Sequence, residues 1–214
     1  MIARLAGCAL ALALTLLGAC CPPRDTRAGS VGDDAYPGVL HPPSELTPDV
    51  VIEQHVEATK GDRTGGFDAV LQKRGGELVL VGLGPLGVRA FTIWQEGADV
   101  RYEQRLGPVF PFPPRDVLVD VHRAFFKRLA LPVAPSPRDG AFRGALDGED
   151  VEEIWRGGEL VERRYVRDGR PGAVRVLYGP GCGVSRCEPA SVRLVNEWFG
   201  YELVIENRRF HALP

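Results

Sequence analysis

The sequence lacks most of what marks a catalytic or nucleic-acid-binding chain. Lysine and arginine number 26 against 28 aspartates and glutamates, a formal net charge of −2 over 214 residues. No basic surplus therefore marks a nucleic-acid footprint, and nucleic acid is not an expected partner. Neither a G-x-S-x-G elbow nor an H-E-x-x-H pair occurs, which removes two common hydrolase signatures. The four histidines, His41, His55, His122 and His211, have no companion motif; His55 and His122 fall on predicted polar faces and read as solvated. Glu152, Glu153 and Glu197 could be paired on paper as acid and base, but carboxylates are ordinary on the outer faces of sheets. No catalytic residue, metal site or cofactor is assigned. There is no internal repeat of fixed period, and no apolar run reaches the roughly 20 residues of a membrane-spanning helix.

One cofactor motif does match. Gly82-Leu-Gly-Pro-Leu-Gly87 spells G-x-G-x-x-G after a predicted strand, the phosphate-cradling pattern of dinucleotide-binding folds. In such a site the last glycine opens a helix. Here Val88-Arg-Ala-Phe-Thr-Ile-Trp94 follows, β-branched and aromatic and closed at once by a second turn, so the corner reads as a hairpin.

The first residues are informative. Arg4 precedes an apolar run over 5–17, and Leu17-Gly-Ala-Cys20 follows. Charge, short apolar core and small residues are the parts of an export signal, here expected over 1–19. Leu-Gly-Ala-Cys also resembles a bacterial lipobox, in which Cys20 takes a diacylglycerol and becomes an acylated, palmitate-type N-terminus; the rival is an ordinary secretory signal with incidental cysteines. More than one acyl chain makes such an anchor stable, at about 0.8 kcal/mol per buried methylene. Cys21 stands where retained inner-membrane lipoproteins carry Asp, so the resemblance implies the periplasmic face of the outer membrane. An exported location favours a disulfide between Cys182 and Cys187 in the turn-rich Gly179-Pro-Gly-Cys-Gly-Val-Ser-Arg-Cys187 loop. A zinc pair is the rival, and zinc takes about four ligands.

Residues 20–48 carry Pro22, Pro23, Pro37, Pro42, Pro43 and Pro48 and read as a tether with an end-to-end distance of about 30 Å. A single domain is expected over 49–214. Period-two patterns mark about ten strands, at 50–58, 67–73, 77–83, 88–94, 100–105, 151–156, 160–167, 173–178, 192–197 and 201–206, most of them joined through Gly or Asp. One segment differs. Over 114–129, Val117, Leu118, Val121, Phe125 and Leu129 recur at helical spacing, with Asp116, Asp120, Arg123 and Lys127 opposite, predicting one amphipathic helix opened by Pro114. The fold class is mainly β (α+β), an antiparallel meander with that helix across its apolar face. Packed completely, the apolar side chains make an ordinary core; packed incompletely, they enclose a lipid-sized cavity. The candidate lining is Leu78, Leu80, Phe91, Ile93, Val117, Val121 and Phe125.

A lipobox, a proline-rich tether, paired antiparallel strands and a strand ending in a Pro-Leu-Gly corner resemble the LolA/LolB lipoprotein-carrier superfamily. Gly84-Pro-Leu-Gly87 is similar to the Asn-Pro-Leu-Gly corner of LolB, whose leucine projects toward the membrane during lipoprotein delivery. The opening hairpin, the Phe-Pro-rich stretch 108–113 and Leu194-Val-Asn-Glu-Trp-Phe-Gly-Tyr-Glu-Leu203 are closer still to a group of uncharacterised bacterial lipoproteins of this fold. The resemblance implies an open, strongly curved half-barrel with a hydrophobic cavity, and a membrane-facing loop of Leu83, Pro85 and Leu86. A helix at the domain start is not evident after Pro48, and the Cys182/Cys187 loop is not a general family feature. The expected function is non-enzymatic: an outer-membrane lipoprotein that binds a lipid or acylated ligand and assists its transfer into the membrane, with a transport or export protein as a further partner. The alternative is a fully packed, membrane-tethered interaction module of an envelope assembly.

Overall fold

The computed structural model describes residues 26–27, 36–106, 113–129, 139–166, 173–183 and 186–214. The signal 1–19, Cys20, the stretch 108–112 and the turn after residue 166 lie outside the described residues.

The chain forms one open antiparallel sheet. After a two-residue strand β1 (Thr26–Arg27), a meander runs outward through β2 (Val50–Lys60), β3 (Arg63–Arg74), β4 (Glu77–Leu83), β5 (Arg89–Glu96) and β6 (Asp99–Gln104). A second meander, β7 (Gly140–Leu146), β8 (Glu149–Arg156), β9 (Glu159–Val166), β10 (Val174–Tyr178), β11 (Ser191–Asn196) and β12 (Tyr201–Ala212), runs back. The long strands β12 and β2 pair and join the two halves, giving the order β1-β6-β5-β4-β3-β2-β12-β11-β10-β9-β8-β7. Tight turns need residues that accept positive φ; Asp147 and Gly148, at φ 55° and 77°, close the β7–β8 hairpin.

Alternation decides which face is inside. In-register pairing aligns Ile52, Leu71, Leu80, Ile93 and Tyr102 across five strands, and all five are buried. Their neighbours at odd offsets are exposed or half-buried, except Thr92 and Glu103. The sequence reading of β2 to β6 holds.

A long connection links β6 to β7, which lie at opposite ends of the strand order apart from the two-residue β1. The connection must therefore traverse the sheet, and α1 (Pro114–Val121) lies on it. Pro114 sits in the first turn, where its missing N–H costs nothing. From His122 to Phe126 the helix widens into a π-helical turn, closed by Lys127 N–H donating to His122 O at 2.8 Å. The thirteen helical residues 114–126 span about 20 Å, three residues fewer than the sequence predicts.

Two expectations are corrected here. Asp116, Asp120, Arg123 and Lys127, assigned to a solvated helix face, are buried, as is His122 with no exposed surface. The reason lies on two sides: Asp120 and Arg123 meet Asn196, Tyr201 and Glu149 of the second meander, and the segment 36–48, assigned to the tether, adds Tyr36 to them and buries Tyr36, Leu40 and Leu46 in the common core. Strand β7 is absent from the sequence expectation, because Gly140 and Gly144 interrupt its alternation.

Candidate functional site: an apolar corner and a charged centre

The corner between β4 and β5 contains the G-x-G-x-x-G letters, and each glycine has a separate structural cause. Gly82 pairs with Phe91, whose ring lies so close that a Cβ at 82 would overlap it. The backbone of Gly84 donates to Val88 O at 2.8 Å and accepts from Gly87 N at 3.2 Å. Gly87 sits at φ 72°. Between them Leu86 adopts φ 60°, ψ 21°, a left-handed conformation that strains a non-glycine residue by about 1–3 kcal/mol.

Leu86 is the most exposed large apolar residue described, at 101% relative accessibility. Leaving such a side chain in water forgoes about 1.5–3 kcal/mol of burial. Val88, at 51%, and Leu106, at 46%, are also exposed. Leu106 reaches this corner: its N–H donates to Ala90 O, and its methyl lies 3.9 Å from where a Gly84 Cβ would stand. Pro85 is exposed and Leu83 half-buried. Three of the five exposed large apolar residues described thus gather at one hairpin end.

The candidate cavity residues belong to one packed cluster. Leu78, Leu80, Phe91, Ile93 and Phe125 are buried in it, and Val117 and Val121 pack against it. None of them lines either of two cavities elsewhere in the molecule, one of about 210 Å³ beside Arg128 and an open groove of about 570 Å³ beside Arg143 and Arg164.

The other half of the concave face is polar, and the sequence reading missed it. Arg123, 2% exposed, projects from the π-helical turn. Its Nη1 donates to Tyr36 Oη and Asp120 Oδ1, both at 2.8 Å. Its Nη2 donates to Pro37 O at 2.6 Å and to both Glu149 oxygens at 2.7 Å. The guanidinium also lies 5.1 Å from the Tyr36 ring centroid and 5.2 Å from that of Tyr165. Burial works against its charge, but Tyr36, Asp120 and Glu149 hold its pKa above the ordinary arginine range. Asp120 accepts in addition from Tyr36 at 2.5 Å, Asn196 at 2.8 Å and Tyr201. Burial first, and then the Asp120 charge, push both phenols above the usual tyrosine value.

A second buried arginine fastens the helix end. Arg163 of β9 pairs with Glu153 at 2.6 Å and donates to Arg123 O at 3.2 Å, to Lys127 O and to Tyr178 Oη at 3.1 Å. A cation at the carbonyl end of a helix satisfies groups that have no partner within it and complements the macrodipole. Glu153 is therefore a buried structural anion; Glu152 lies on the opposite face with Arg143, and Glu197 is exposed, so the three carboxylates form no dyad. Cys182 and Cys187 are disulfide-bonded.

His122 faces the first meander. Its Nε2 meets Gln95 Oε1 at 3.0 Å, while the Gln95 amide donates to His41 O and Gly97 O. Nδ1 has no partner. Burial, with Lys127 nearby, pushes its pKa down to about 3, so the ring is neutral.

Together these features define a class: an open antiparallel sheet wrapped around one central helix, densely charged where the second meander grips it and, apart from the His122–Gln95 bond, apolar toward the first. The chain belongs to the family described as "Protein of unknown function (DUF3261)", which matches residues 51–209. No curated protein matches it. Among solved structures it is similar to a LolA superfamily protein from Nitrosomonas europaea, with 11% identity, 80% of this chain and 91% of that chain covered, and a TM-score of 0.43. An outer membrane lipoprotein-sorting protein domain from Vibrio parahaemolyticus gives 9% identity, coverage of 79% and 87%, and a TM-score of 0.40. A DUF1329 family protein from Desulfovibrio piger gives 12%, 79% and 87%, and 0.28. Among the described residues no helix is long and apolar enough to cross a membrane.

Proposed function

We propose that this chain is a non-enzymatic lipoprotein, anchored through Cys20 at the periplasmic face of the outer membrane, that takes up a lipid or acylated ligand between the first meander and the helix and passes it to the bilayer through the Leu86 corner. The observation that carries the reading is Leu86: fully exposed, held in a strained backbone conformation, and flanked by Val88 and Leu106. A side chain kept in water at such cost is explained by a contact made outside the domain.

The asymmetry around the helix supplies a route for the ligand. On the second meander it is held by directional, charge-assisted bonds from Arg123 and Arg163, which a ligand cannot replace. On the first, besides the His122–Gln95 hydrogen bond, Val117, Val121 and Phe125 share one apolar cluster with Leu78, Leu80, Phe91 and Ile93, where contact is non-directional. An acyl chain reproduces such contact, at about 25 cal/mol per Å². The ligand would displace Val117, Val121 and Phe125 from β4 and β5 while the charged grip keeps the helix in place.

One observation favours a second reading. The candidate lining residues are packed against one another, as expected of a tethered protein-interaction module with the corner as its contact. An environment-sensitive fatty-acid probe separates the two. Saturable binding that unlabelled fatty acid displaces supports the carrier; no saturable binding supports the interaction module.

A further inference from the structure

The cavity of about 210 Å³ lies where the helix ends, walled by Leu129, Trp155 and Leu160 and bearing Arg128, Glu153 and Arg163. Its volume equals about seven waters at about 30 Å³ each, enough for a small anionic group and a few carbons. It shares no residue with the acyl site proposed above.

Charge accounting sets its chemistry. Arg163 and Glu153 neutralise each other at 2.6 Å. Glu153 also accepts from Trp155 Nε1 at 3.2 Å and Leu129 N at 3.3 Å, and the other Arg163 donors reach Lys127 O, Arg123 O and Tyr178 Oη. That pair is saturated. Arg128 is the exposed member of the lining, and among the described residues it has no hydrogen-bond or ion-pair partner. Burial, and then the Arg163 charge beside it, hold its pKa below the ordinary arginine value. Of the groups facing it, Glu153 is committed to Arg163, and the Tyr178 phenol is neutral, its pKa raised by burial. One positive charge is left over at a cavity with an indole and two leucines in its wall.

We propose that this cavity binds the anionic end of a small amphiphile, a carboxylate or phosphate on a short apolar chain, with Arg128 as the ion-pairing residue and Trp155, Leu129 and Leu160 as the apolar wall. A guanidinium pairs two oxygens of either anion in its own plane.

The test titrates the folded, disulfide-intact protein with butanoate, butyl phosphate and uncharged butyl glucoside, following heat and Trp155 fluorescence, with Trp155→Phe assigning the optical signal. At least one of the two anions should bind with one-to-one saturation and at least tenfold more tightly than the glucoside. Which one binds identifies the head group. Arg128→Gln should weaken it at least tenfold with an unchanged unfolding midpoint, and Arg128→Lys should recover part of the loss. Equal affinity for butyl glucoside, unchanged binding in Arg128→Gln, or no binding of either anion overturns the proposal. Long-chain probe capture and Leu86-dependent transfer are separate readouts, so either proposal can fail alone.

Discussion

The ring of Phe91 rests on the backbone of Gly82, in the position that a side chain at 82 would occupy. This contact fixes the inner end of the β4–β5 hairpin and sets the base from which Leu86 projects.

Gly82→Ala should therefore cost about 1–3 kcal/mol, the usual penalty for overpacking. Denaturant unfolding checks this, and trimming the ring in the double variant Gly82→Ala with Phe91→Leu should recover part of the loss. A Gly82→Ala protein as stable as the parent would show that the contact carries no constraint.

Tyr36 lies ahead of the first long strand yet completes the bonding of Arg123 and Asp120. Tyr36→Phe leaves buried polar partners short of one hydroxyl and should cost about 1–3 kcal/mol. Arg123→Ala exposes Asp120 and Glu149 to an uncompensated interior and should cost about 3–5 kcal/mol. The ordering of the two in urea unfolding is the check.

The acid response of stability should carry the signature of His122. Its folded pKa, about 3, lies below the unfolded value near 6.5. Between those limits the unfolded chain binds the extra proton, so this residue's contribution is lost as pH falls from about 6.5 toward 3, at roughly 1.4 kcal/mol per unit. Comparing His122→Asn with the parent at pH 7 and pH 4.5 isolates the effect. The parent should lose more than the variant; equal losses would contradict a buried neutral ring.

The acylation reading makes a simple prediction about location. Cys20→Ser should move the exported protein from the membrane fraction to the soluble fraction, as fractionation and mass spectrometry of the N-terminal peptide would report. Membrane retention of the variant would refute Cys20 as the anchor.

Which parts of this were legible depends on the range of the interactions. Ile52, Leu71, Leu80 and Ile93 follow the period-two rule within their own strands, so the first meander could be read from local pattern alone. The charged centre could not, because Tyr36, Glu149 and Asn196 reach Asp120 or Arg123 from remote positions. Helical spacing sorted Asp120 and Arg123 by polarity, and polarity stood for exposure, whereas the second meander and Tyr36 together enclose them. A signal was nevertheless present. Glu153 lies between Val151 and Trp155, and Arg163 two residues before Tyr165, all at inward-facing positions. Charges of opposite sign at inward positions of adjacent strands imply a buried pair.

The backbone at Leu86 distinguishes selection for stability from selection for function. Leu86→Gly removes the left-handed strain and an exposed leucine together, so it should leave stability unchanged or raise it by up to about 1 kcal/mol, less whatever glycine adds to unfolded-chain entropy. A marked loss of stability would mean that Leu86 packs within the domain.

Transfer of a fluorescent acyl ligand from the Leu86→Glu protein to liposomes, measured beside ligand capture, tests the central claim most directly. Capture should match the parent and the fold should be intact, while transfer falls at least tenfold, because a carboxylate at the tip resists entry into the bilayer. Transfer at the parental rate would contradict the role assigned to this corner.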